Sequence, residues 1–74
     1  FVFEENNNVI AYPNPVKNGF ILFNKNFGNI KLFNNEGQLV RLQEFTSNKF
    51  NLKGLSKGVY FIDVEGEMKK VIID

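Results

Sequence analysis

The sequence predicts an all-β domain, a small antiparallel β-sandwich of about seven strands, from three observations. No segment repeats its apolar residues with 3.6-residue spacing over a helical length. Short apolar or alternating runs recur instead at intervals of roughly ten residues, each bounded by Asn, Gly, Pro or Ser. β-branched and aromatic residues dominate those runs, with nine Phe and two Tyr in the chain.

Taken in order, Phe1-Val2-Phe3-Glu4-Glu5 runs from apolar to acidic, and Asn6-Asn7-Asn8 reads as a linker. Residues 1–8 are therefore expected to be a linker or edge segment following an upstream domain, and residues 9–74 the domain itself. A start at Phe1 rather than Met fits a piece of a longer protein. Val9 to Tyr12 is the first predicted strand. Pro13-Asn14-Pro15 stops it: two prolines fix φ, remove two donors and push the preceding residues to extended geometry. Such a corner cannot sit inside a central strand and marks a chain reversal or a change of sheet.

Asn18-Gly19 is a second turn signal. Phe20 to Phe23 follows as a continuous apolar run suited to a strand buried on both faces, and Asn24 to Asn29, containing Gly28, is expected to return the chain. Ile30 and Leu32 share one face of the next strand. Asn34-Asn35-Glu36-Gly37 is the clearest hairpin loop, a type I turn closed by Gly37 in the left-handed region with a bulge. In the returning strand Val40 and Leu42 are expected inward, and Arg41 and Gln43 outward. Thr46-Ser47-Asn48 reads as a turn, after which Phe50 and Leu52 alternate with polar neighbours.

Ser56-Lys57-Gly58 is turn chemistry, with Gly58 free to take positive φ. Val59 to Val64 follows as the strongest strand signal, its Tyr60, Ile62 and Val64 forming one apolar face. The spacing Gly58-x-Tyr60-x-Ile62 admits two readings. Tyr60 is either an ordinary buried aromatic or a tyrosine corner, whose hydroxyl returns to backbone a few residues upstream. Glu65-Gly66-Glu67 is the last turn, and Met68 to Asp74 the last strand, with Lys69, Val71 and Ile73 on one face and Met68, Lys70 and Ile72 on the other.

Composition removes several classes of function. Seventy-four residues form one domain near the lower size limit for an unstapled core. The absence of Cys and His excludes disulfides, thiol nucleophiles, imidazole bases and the usual transition-metal ligands. Hydroxyls such as Ser47, Ser56 and Tyr60 have no base beside them in any motif, so no catalytic residue and no cofactor is assigned. Asp63, Glu65 and Glu67 could supply oxygen to calcium, but three acids along a strand and its turn read first as a solvated face, and no metal is assigned. A net charge of +1 with interspersed signs gives no field for nucleic acid. Lysines on the last strand either guard an exposed edge or present it to a partner that adds a strand. The Phe content would also allow dimerisation through such edges.

Four motifs stand in order: Tyr12-Pro13-Asn14-Pro15, the loop Asn35-Glu36-Gly37, Leu55-x-x-Gly58-x-Tyr60-Phe61, and the lysine-bearing apolar run at the end. Together, from about Val9 to Asp74, they resemble the C-terminal sorting domain of cargo proteins of the type IX (Por) secretion system of Bacteroidetes. The resemblance implies a secretion signal attached to a larger cargo rather than an enzyme. Its partners would be the type IX translocon with its shuttle proteins, and a sortase-like peptidase that removes the domain from some cargoes. No nucleic acid or small-molecule substrate is implied. The route leads through the periplasm to the cell surface or medium. The motif residues that the resemblance marks are Pro13, Asn14, Pro15, Gly37, Gly58, Tyr60, Lys69, Lys70, Val71, Ile72 and Ile73. The loop departs mildly from the family, with Asn35-Glu36-Gly37-Gln38 where an Asp-x-x-Gly-Lys-like run is common. The alternative is a fibronectin-like or carbohydrate-binding sandwich of a secreted protein, with Phe27, Phe33 and Phe45 as a stacking platform; the absence of Trp counts against it.

Overall fold

Alternating apolar residues give seven strands and no helix among residues 9–74, the part of the chain that the computed structural model describes. The expected linker or edge segment at 1–8 lies outside the described residues. The strands are β1 (Ala11–Tyr12), β2 (Phe20–Phe27), β3 (Ile30–Asn34), β4 (Leu39–Gln43), β5 (Ser47–Asn51), β6 (Gly58–Val64) and β7 (Glu67–Ile73). They form two antiparallel sheets, ordered β1-β2-β5 and β4-β3-β6-β7. The predicted sandwich is the fold found, its three and four strands matching the strand number of the smaller immunoglobulin-like sandwiches.

Period-2 burial explains how the sheets meet. Ile21 and Phe23 of β2, Ile30 and Leu32 of β3, Phe50 of β5 and Ile62 and Val64 of β6 are all buried and form one core between the sheets. Each such side chain contributes about 1.5–3 kcal/mol. Phe27 also belongs to this core and meets Phe23 edge-on, with ring centroids 5.6 Å apart. β6 is central, flanked by β3 and β7, as its uniformly apolar face requires.

Three local expectations are corrected. Asn24 to Phe27 does not return the chain but continues β2 past a bulge, because Phe27 is drawn into the core and pairs with Ser47. The same pairing places Ser47 and Asn48 in β5 rather than in a turn, so partner choice overrides their turn propensity. Only one face of Phe20 to Phe23 is fully buried: Phe20 and Leu22 lie half-buried on the outer face.

A fourth correction concerns β4. Gly37 takes φ +83° and its N–H donates to the Asn34 carbonyl at 3.0 Å, closing the predicted turn. The Asn34 side chain reinforces it by accepting from the N–H groups of Glu36 and Gln38 at 2.9 and 3.0 Å. The register then slips, with Leu32 opposite Arg41 but Phe33 opposite Leu39, so that one residue is extra on β4. A bulge of this kind reverses the facing of everything beyond it. Gln43 is therefore buried and Leu42 exposed, the opposite of the expectation for both. Arg41 lies opposite core residue Leu32 and reaches across the sandwich, donating from one guanidinium nitrogen to the carbonyls of Asn51 and Lys53, each at 3.0 Å.

Candidate recognition surface

β7 is built by alternation. Val71 and Ile73 point into the core, 1% and 9% exposed, while Met68, Lys70 and Ile72 point out. Lys69 sits at the rim of the inner face, half-buried, its ammonium 3.3 Å from a carboxylate oxygen of Glu67. From Met68 to Ile73 the predicted facing is the facing observed, while Glu67, expected in the turn, opens the strand instead. Its length is held by β6, in unbroken register from Gly58 opposite Ile73 to Val64 opposite Glu67.

The other edge of β7 is not bare. The Pro13-Asn14-Pro15 corner carries the chain out of β1 and across to the second sheet, the second of the two outcomes, chain reversal or change of sheet, that its prolines allowed. Both its proline bonds, Tyr12–Pro13 and Asn14–Pro15, are cis. Asn14 turns its side chain onto β7 and replaces a strand residue there. Its Oδ1 accepts from the Ile72 N–H at 3.0 Å, and its Nδ2 donates to the Lys70 carbonyl at 3.3 Å. Val16, 1% exposed, then forms a parallel bridge with Ile73. Its N–H donates to the Ile72 carbonyl at 2.7 Å and its carbonyl accepts from the Asp74 N–H at 2.9 Å. Lys17 ends the strap in an ion pair with Asp74, and that hydrogen bond and charge hold the Asp74 carboxyl below its ordinary range. An added partner strand therefore finds the backbone of β7 engaged from Lys70 onward.

The same end of the sandwich is also fixed by Tyr60, which lies opposite Val71 of β7. Gly58, at φ +149°, opens β6 in a conformation that a side chain would penalise. Two residues on, Tyr60 is buried, and its hydroxyl donates to the Ser56 carbonyl at 2.7 Å. That geometry is the tyrosine-corner alternative of the two the spacing allowed.

The three acids near the last turn are each used locally. Asp63 accepts from the Gly66 N–H at 2.8 Å, and Glu67 pairs with Lys69. Glu65 stands at φ +51° in the two-residue turn, and its carboxylate accepts from the Gly28 N–H at 2.9 Å. Among the described residues no group of three or more carboxylates converges as a metal site. The proposed aromatic platform is not assembled either: Phe27 is in the core, Phe33 lies on the second sheet, and Phe45 stands alone on the β4–β5 loop. The sequence reading missed Val16, whose strap role has no local signal. It also missed the apolar outer face of β6, although Val59 and Phe61 signal that face by alternating with the core set.

Two of the marked residues, Asn14 and Tyr60, latch their side chains onto backbone and so fix the end of the sandwich where β7 closes. The chain matches the secretion system C-terminal sorting domain family over residues 10–74 and belongs to that family. It is a C-terminal sorting signal of type IX secretion, and that family is not catalytic. The chain is also similar to beta-agarase A of Zobellia galactanivorans, with 37% identity over 67 residues, covering 84% of this chain and 12% of the agarase. It thus spans about an eighth of that relative's length. No solved structure matches the chain.

Proposed function

We propose that the domain directs a larger cargo across the outer membrane as a folded signal, read by the translocon or its shuttle proteins through β7. Transit runs through the periplasm and ends at the cell surface or in the medium, and in this reading a sortase-like peptidase can remove the domain afterwards. The observation that carries the proposal is the strap of Asn14 and Val16 on β7. It ties two of the motifs that the family resemblance marks, distant in sequence, into one rigid element whose side chains remain available outside.

A transplant tests it. Residues 1–74 are fused to the carboxyl end of a periplasm-targeted fluorescent protein, in a bacterium that has this route and in a translocon-deficient strain. Reporter on the surface or in the medium of the first strain alone is the expected result. Retention in the periplasm of both strains, with the fused domain folded, overturns the proposal. Deleting Met68 to Asp74 is a poor substitute, because it also removes Val71 and Ile73 from the core.

A further inference from the structure

The edge of β7 is strapped from Lys70 onward, so a reader of that stretch has its outward side chains to use. Those side chains are part of a larger surface. Among the described residues eight large apolar side chains stand exposed, and five of them lie on the outer face of the four-stranded sheet: Leu39, Leu42, Val59, Met68 and Ile72. Pairing register puts Leu39, Phe33, Phe61 and Lys70 in one row across all four strands, and Val59 beside Ile72 in the next row toward the Gly58 end. Phe33 and Phe61 are half-buried and, with Met68, floor a shallow apolar depression. Contiguous apolar surface of this kind, as opposed to scattered residues, marks an interaction site.

The charges on this face are unbalanced. Lys31 and Lys70 lie on it, and neither makes an ion pair among the described residues. Its one acid among the described residues is Asp63, whose carboxylate is engaged by the last turn. The outer face of the other sheet is different: Phe20 is covered by the ammonium groups of Lys49 and Lys53, 4.9 and 5.0 Å from its ring centre.

We propose that the outer face of the four-stranded sheet is the docking surface of the signal, and that its occupant is a protein surface of the export machinery with an apolar centre and carboxylates at its rim. The proposal rests on the sorting function above and names the surface that function uses. An apolar centre with a charged rim is the anatomy of a specific protein interface. Two unpaired ammonium groups select a rim of carboxylates. A second copy would bring its own Lys31 and Lys70 against the same pair, which the single Asp63 of each copy does not balance.

The test uses the fluorescent fusion with outward substitutions that spare the core. Met68→Glu with Ile72→Thr removes apolar contact, Lys70→Glu reverses a charge, and Lys70→Arg keeps it. Lys49→Glu on the opposite face is the control, and thermal melting of each purified fusion certifies folding. Surface reporter is expected to fall about tenfold or more for the first two variants, the loss of one strong interface contact, and to hold for Lys70→Arg and Lys49→Glu. Export within twofold of wild type by folded Met68→Glu/Ile72→Thr and Lys70→Glu overturns the proposal. So does sedimentation showing a wild-type dimer that these variants dissociate, or binding of the wild-type domain, and not the variants, to phosphatidylglycerol vesicles. Failure of the unsubstituted fusion to leave the periplasm is a different result, which overturns the sorting function itself.

Discussion

The Asn14 side chain accepts from the Ile72 backbone N–H at 3.0 Å, although 58 positions separate the two residues. Because the same amide group donates to the Lys70 carbonyl, one side chain occupies two consecutive backbone positions on the edge of β7. The flanking prolines make this possible. Pro15 holds Asn14 in extended geometry, and neither proline carries an N–H that would compete for a partner. Edge strands need such protection against pairing with other chains.

Asn14→Ala removes both bonds and leaves the backbone of Lys70 and Ile72 to water. These bonds are solvent-exposed, so the expected cost is about 1–2 kcal/mol, or a melting temperature roughly 5–10 °C lower for a domain of this size. Amide hydrogen exchange localises the effect, with the Ile72 N–H losing protection before those of β3. Unchanged exchange at Ile72 would show that the edge is held by Val16 alone.

Tyr60→Phe isolates the corner. The ring stays in the core, and what is lost is the 2.7 Å bond to the Ser56 carbonyl with a long 3.5 Å contact to the Ser56 hydroxyl. About 1 kcal/mol should go, the net value of one hydrogen bond, against about 2–5 kcal/mol for Ile62→Ala, which opens a cavity among fully buried residues. Urea melts of the two variants give the ranking, and a Phe variant as costly as the Ala variant would refute the corner as a single bond.

Acid should release the far end of the strap. The Asp74 carboxyl is held below its usual 3.8, chiefly by its hydrogen bond to Lys17 and then by that ammonium's charge. A carboxyl depressed in the folded state contributes stability above its unfolded value and loses it as pH falls through the lower folded value. Lys17→Met should therefore melt below wild type at neutral pH and coincide with it near pH 2. Both groups are exposed, so the gap should be small and should shrink in salt. A gap that persists at pH 2 would assign the effect to lost packing instead.

Much of this molecule was legible because the relevant signals are local. Tyr60, Ile62 and Val64 alternate on one strand, and Asn34 to Gly37 spells its own turn, so both were readable without a partner. The strap was half legible: the prolines announced a corner, but nothing near Asn14 says that its amide lands on Lys70 and Ile72. β2 was read short because Asn24 and Asn26 are turn residues by propensity, while the pairing of Phe27 with Ser47 is a tertiary fact. The surface on β3, β6 and β7 was hidden for a related reason. Its rows exist only once register is known, and each row combines residues from several strands.

The bulge in β4 yields the sharpest test, because the alternating pattern and the observed register assign opposite faces to neighbouring residues. By pattern, Leu42 is core and Arg41 is solvent. In the structure Leu42 is 44% exposed, and Arg41 ties β4 to the carbonyls of Asn51 and Lys53. Arg41→Met keeps most of the aliphatic stem but removes the guanidinium. Two charge-assisted bonds would be worth more if buried, and with partial exposure their loss should cost about 1–2 kcal/mol. Leu42→Ala should cost under about 1 kcal/mol, far from the roughly 2–5 kcal/mol of a core leucine. Arg41→Lys should recover only part of the loss, since the lysine stem is one bond shorter and its ammonium does not reach the position of the guanidinium nitrogen that serves both carbonyls. Denaturant melts of the three variants decide the matter. A costly Leu42→Ala beside a silent Arg41→Met would mean that β4 pairs without the bulge, with Leu42 inward like Val40, which packs against the core as expected.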